Sequence, residues 1–471
     1  MVARKGSGHG KRLTAGLGRD TIGFGQAYLW TDGEIELPPA VCSLGRTPVP
    51  TSGERAISIS PSVEDSAVEI RSVNVTRSIF VVAVVAAAAG CESVGASMDA
   101  TVRDSAGIEI VESSRPRWRT GEEWRLSNVA SVSIGAVFGD DPATQFTRIV
   151  GATRLRDGRI VVADGATAEL RYFGATGAHL KTVGGRGGGP GEFARISRIL
   201  RRPGDSVIAI QSVPPRQSLF SDTGGFVRLV PVPTIGQFLP LVYTTILDDG
   251  TAILAPGARP LTMLTGTRTE STTYHAIAPG SDSTHVLGTF PFIELAGNGS
   301  RVGLVRFAPT GVSAAHGDRF YVGFPERFEI AAYSSQGTLR RLIRRAWVPR
   351  PVSGEERDAL LERQYADAAA EVRNAVVFAE THPAYDQLLV DATGALWVRA
   401  PRTDGGSNFR PADLATWAQR WSIFDEEGVW LGDITLPAGF DLLEVGDDYA
   451  LGVWYNEDDI PFVRVYRLTK G

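Results

Sequence analysis

The sequence predicts an all-β fold: a six-bladed β-propeller of four-stranded antiparallel blades, closed by an N-terminal strand and carrying one helical insertion. Three observations predict it. A glycine-marked turn between two apolar strands recurs six times in 471 residues. In four of those units an aromatic residue stands four positions before a second glycine. The last unit is one strand short of a full set, and a spare strand lies ahead of the first. Repeats of about 40–50 residues holding several strands each are the signature of radially repeated sheets.

The chain opens with residues 1–72, which are rich in Gly, Ser and Pro and poor in apolar periodicity. They are expected to be a misassigned or disordered extension, with the true initiator at Val73 or Val75. Residues 73–91 read as a secretory signal. Arg77 precedes a 12-residue apolar run, Ile79 to Gly90, that ends at Cys91. A bilayer-spanning helix needs about 20 apolar residues, so this run fits a signal core instead. Ala88-Ala89-Gly90-Cys91 resembles the bacterial lipobox. That resemblance implies lipid attachment at Cys91 and a place in the cell envelope, periplasmic or surface-exposed. The plainer alternative is a buried strand that happens to hold a cysteine. Residues 92–125 are expected to be a tether and a first strand, Gly107 to Glu112, with no evident neighbour.

The propeller is expected over residues 126–471. Its first turns are marked by Gly158, Gly204, Gly250, Gly317, Gly394 and Gly446, spaced 46, 46, 67, 77 and 52 residues apart. Each leads into an apolar strand: 160–163, 207–210, 252–254, 320–322, 396–398 and 449–453. The aromatic–glycine turns are Phe173/Gly177, Phe220/Gly224, Tyr333/Gly337 and Phe424/Gly428. Glycine supplies the positive φ that tight hairpins require. Strands near 440–445, 448–454 and 462–468 leave the last blade open, and Val129 to Ile134 is expected to complete it. Ile134-Gly135 then leads through a turn to Phe146, as Val183-Gly184 leads to Phe193. The run Val183-Gly-Gly-Arg-Gly-Gly-Gly-Pro-Gly-Glu-Phe193, among these units, resembles the NHL-type repeat. The whole, behind a lipobox, resembles the six-bladed β-propeller lipoproteins of bacterial envelopes, a resemblance that implies the fold and leaves the activity open.

Antiparallel order divides the loops between two faces. Loops from second to third strand, and from each fourth strand to the next blade, emerge together. The long segments 256–271, 291–306, 346–384 and 401–419 fall in that class, so the ligand site is expected there. Within the insertion, about 353–380, Ser353-Gly-Glu-Glu356 reads as a capping box. Leu361, Tyr365, Ala368, Val372, Ala375 and Ala379 then predict one helix from about 354 to 379, ended by His382-Pro383. It is expected to act as a lid over one blade.

The chemistry is less legible. With 48 Lys+Arg against 53 Asp+Glu the net charge is −5, and no basic block argues for nucleic acid. Two cysteines and six scattered histidines exclude a disulfide framework and a Cys/His zinc site. The Gly184–Gly191 loop with Arg186 can in principle present amides to a phosphate, although an inter-blade turn explains it as well. Asp140, Asp141, Glu457, Asp458 and Asp459 would supply part of a calcium shell or simply a solvated acidic rim. Arg148, Arg195, Arg306, Trp397 and Arg399 near the mouth suit anions or sugars, or else plug blade ends and pair with carboxylates. No catalytic residues stand out. The expected function is therefore a non-catalytic binding module for a peptide, glycan or partner protein, touching the membrane through its anchor only. The alternative is a metal-dependent hydrolase or lyase of the lactonase kind.

Overall fold

Each glycine-marked turn does lead into a strand in the computed structural model, which describes residues 99–139, 141–236, 239–257, 263–402 and 417–471. These strands are Ile160–Asp164, Val207–Gln211, Ala252–Pro256, Arg319–Gly323, Leu396–Arg399 and Tyr449–Tyr455. Their unbroken apolar runs suit strands covered on both faces, and the first two are buried throughout. Gly158 turns at φ +89°, where a Cβ would meet steric resistance. Gly446 owes its place to a different cause: the Tyr449 ring lies where its Cβ would stand.

The molecule is mostly β, and its described strands form six sheets. The first (149–184), second (198–230) and fifth (387–435) are antiparallel with four strands in sequence order. The sixth begins with Phe440–Val445, Tyr449–Tyr455 and Pro461–Thr469, and Val132–Ile134 supplies its outer strand. Apolar side chains collect in six clusters between neighbouring sheets. One of them joins the sixth sheet to the first through Leu451, Val463, Ile149 and Phe173. The first full-length strands of the six sheets lie side by side in chain order, and Phe440–Val445 returns to Ile149–Arg154.

Three expectations change. The segments 256–271 and 291–306 are largely not loops: Thr265–Ile277 and His285–Asn298 pair as a long ribbon rising from the third sheet, extended by Val302–Leu304. The isolated strand finds its partner in the fourth sheet, where Ile108–Ser113 lies parallel to Leu339–Arg345 and carries Ala100–Ser105 on its outer side. The insertion holds two helices, Gly354–Tyr365 and Ala370–Asn374, rather than one. Across the break, Arg373 Nη1 donates to the Tyr365 carbonyl at 3.3 Å, satisfying one of the carbonyls left open at the end of the first helix. Leu360, not Leu361, is the buried residue of that helix. The capping box forms, with Glu356 N donating to Ser353 Oγ at 3.2 Å and Ser353 N to Glu356 Oε2 at 2.9 Å.

Between these elements, residues 113–134 run along the outer edges of three successive sheets. Ser113 ends the strand on the fourth sheet, Arg117 N and Trp118 N donate to the Trp430 and Leu431 carbonyls of the fifth, and Val132–Ile134 joins the sixth. Outer strands that would present unpaired edges are thereby covered.

Candidate functional site

Strand direction gathers the long connections on one face, called here the loop face; the short first turns lie on the opposite turn face. On the loop face, the third-sheet ribbon and the fourth-sheet insertion stand on either side of a groove of about 360 Å³. Glu294, Glu326 and Glu380 line it together with Val305, Phe378 and His382. Burial pushes the Glu294 carboxyl above the usual carboxylate range, and the charge of Glu326 adds to the rise.

Arg306 fixes the groove's two walls to each other. Its backbone bridges to Phe378, its amide donates to the Val377 carbonyl at 2.7 Å, and its guanidinium donates to the Tyr365 hydroxyl. At the base of the insertion, His382 is 3 % exposed and its Nε2 lies 3.2 Å from Glu356 Oε2. Burial lowers the His382 pKa against the pull of Glu356, so the neutral form is favoured. Burial opposes charge on Glu356 too, yet Arg350, the Ser353 amide and His382 outweigh it and hold this carboxyl at about 2.

The seam between the fifth and sixth sheets holds a buried ion cluster. Arg399 Nε donates to Asp386 at 2.6 Å, and its Nη1 lies 3.5 Å from Asp441. Gln419 donates to Asp441 at 2.8 Å, and the Trp417 and Trp421 rings lie 5.3 and 5.9 Å from the guanidinium. Burial pushes both carboxyls up while Arg399 pulls them down.

The residues singled out in the sequence therefore separate. Arg399 does what its plainer reading says and pairs with carboxylates inside the molecule. Trp397 leaves the ligand set: it is fully buried, donates to Asp391 at 3.2 Å and packs near Trp124 and Trp421. A side chain enclosed on all sides offers a ligand no surface. Arg148 is half-buried, with its amide donating to Asp164 at 3.3 Å. Arg195 is exposed, its amide 3.4 Å from Gln211 Oε1, and Arg186 donates to the Ala166 carbonyl at 2.8 Å. In the glycine loop, the Gly189 amide is taken by Glu192 and the Gly188 and Gly189 carbonyls by Arg216 of the second sheet, so the loop is tied to neighbouring side chains.

The described members of the acidic set fall in two loops of the sequence. Asp141 spends a carboxylate oxygen on the Ala143 amide at 2.9 Å, while Glu457 and Asp458 are exposed beside Asp459 in a separate loop. Among the described residues no group of three or more His, Cys, Asp or Glu side chains is placed to hold a metal ion. Asp140 and Cys91, with the signal segment and most of 401–419, lie outside the described residues. Sequence reading missed the groove acids: Glu294 sits in a segment it took for a loop, and Glu326 in a short turn it did not single out. It noted His382 only as a helix stop; its contact with the capping-box Glu356 joins residues 26 apart and left no local signal.

No family model and no curated protein matches the chain. Solved structures similar to it include a candidate exported protein of Bacteroides fragilis, 13 % identical with a TM-score of 0.42, covering 77 % of this chain and 99 % of that one. A DUF4221-family member of Bacteroides vulgatus is 10 % identical with a TM-score of 0.48, covering 74 % and 99 %. A gluconolactonase of Xanthomonas campestris is 12 % identical with a TM-score of 0.36, covering 73 % and 100 %.

Proposed function

We propose that this chain is a lipid-anchored envelope protein whose six sheets are the blades of a closed six-bladed β-propeller. In this reading it acts as a non-catalytic binding module for a peptide, glycan or partner protein. The side-by-side order of the first full-length strands and the cluster shared by the sixth and first sheets support the ring. Lipid attachment is assigned to Cys91 from the lipobox resemblance. The observation that carries the binding role is the groove between ribbon and insertion, two additions to the repeated blades that meet on one face.

Glycan and peptide arrays probed with the full chain test this reading. The expected result is selective binding that Glu326→Lys, at an exposed position in the groove wall, weakens about tenfold. Turnover of lactone substrates, together with binding that this substitution leaves unchanged, would contradict it.

A further inference from the structure

We propose that the loop face is the side turned toward the membrane, and that it docks on a lipid surface through the apolar tips Phe138, Met263 and Val348. The proposal rests on the lipid attachment at Cys91 in the reading above. Its new content is the orientation, and strand register supplies it.

Leu339–Arg345 is the fourth strand of its sheet and runs toward the loop face. Ile108–Ser113 lies parallel to it, with Ser113 opposite Arg345. Ala100–Ser105 is antiparallel to that strand, and its first residue, Ala100, pairs with Ser113. The described chain therefore enters at the loop-face end of the fourth sheet. Ala346 N donates to the Ser113 carbonyl at this point, which places Val348 two residues from the entry. Residues 92–98 separate Cys91 from Asp99, and a chain of that length spans about 28 Å at full extension. The anchor thus holds this end of the molecule close to the bilayer.

The exposed apolar residues in the connections fall mainly on the same side. Phe138 (91 % exposed) lies in the link from the sixth sheet to the first, Met263 (82 %) in a second-to-third-strand link, and Val348 (83 %) at the entry. Val213, Ile235 and Val377 are further exposed positions in loop-face connections. Among the described residues, the connections of the turn face show one comparable residue, Val129. Apolar tips on separate loops, held by a rigid scaffold beside a lipid tether, suit shallow insertion between headgroups. A ligand of the groove is then one presented at the membrane surface.

The test uses the full chain expressed in a bacterium and reconstituted in phosphatidylethanolamine–phosphatidylglycerol vesicles with brominated acyl chains. An environment-sensitive fluorophore is attached at Phe138→Cys or Val348→Cys on the loop face, or at Asp447→Cys on the turn face. Acylation of Cys91 is read by mass in the same samples. The expected result is quenching severalfold stronger at 138 and 348 than at 447. An acylated Cys91 with equal quenching at all three positions, or stronger quenching at 447, overturns the orientation and leaves the anchor standing. An unacylated Cys91 overturns both.

Discussion

Ile134 stands opposite Val463 in an antiparallel pair that joins an N-terminal strand to the last strand of the chain. Both side chains are buried, in the cluster that also holds Ile149 and Phe173 of the first sheet. This pairing and the cluster around it tie the strand at 132–134, the last strand and the first sheet together, and the edge strand that would otherwise face solvent is paired.

Ile134→Ala removes buried methyl groups at this junction and is expected to cost about 2–5 kcal/mol. Denaturant unfolding followed by tryptophan fluorescence measures it. The same substitution at the exposed Ile235, away from the junction, is expected to stay within about 0.5 kcal/mol. Equal losses at the two positions would argue against a closing role for the N-terminal strand.

Arg399→Met removes the guanidinium that lies against both Asp386 and Asp441 in the seam and leaves Arg402 as the cation acting on the two. The expected loss is about 3–5 kcal/mol, since an uncompensated buried charge is expensive. Neutralising both acids in the same chain, with Asp386→Asn and Asp441→Asn, is expected to recover much of it. If the triple variant is no more stable than Arg399→Met alone, the arginine acts through packing on Trp417 and Trp421 rather than through charge.

The insertion is expected to loosen on acidification. His382 has a folded pKa below its ordinary 6.5, so the loosened state binds the proton more readily and stability falls as pH drops through 6.5. Glu356 is held at about 2 against an ordinary 4.5, so its contribution is present above 4.5 and fades between 4.5 and 2. Hydrogen exchange of the insertion amides, corrected for intrinsic rate, is expected to quicken between about pH 7.5 and 5.5 relative to the first sheet. Parallel behaviour of insertion and sheet would show that His382 does not couple to the fold in this range.

Calcium and EDTA are both expected to leave the melting midpoint unchanged. The described acid of the Asp140/Asp141 pair spends a carboxylate oxygen on capping a turn, and no described group of three or more His, Cys, Asp or Glu side chains is placed to hold a metal ion. A midpoint that rises with calcium would show that these loops rearrange to build a shell.

The repeated parts were the legible ones. A glycine turn followed by a buried apolar strand has the same physical cause in every sheet, so 160–163 and 449–453 could be read from local pattern alone. The pairing of Val132–Ile134 with the last strand was legible because Ile134-Gly135 to Phe146 copies the link from Val183-Gly184 to Phe193, and both phenylalanines are buried. The additions to the sheets were not. The outer half of the ribbon, residues 265–271, is polar and is held by pairing with residues 291–298, while only its base reaches the core through Tyr274 and Ala276. Trp397 looked available because tryptophan suits ligands, but its place between Trp124 and Trp421 depends on residues hundreds of positions away or on the next strand. The groove depends on Arg306 reaching Tyr365 and Phe378, a tertiary contact that no local spacing announces.

The central claim, a partner held on the loop face, is tested most directly by photo-crosslinking in living cells of the organism that encodes the chain. A benzophenone side chain is placed at Glu380 on the groove rim or at Asp447 on the turn face. The account predicts a discrete, light-dependent adduct from position 380 and none from 447. Adducts from 447 alone, or none from either position, would contradict it.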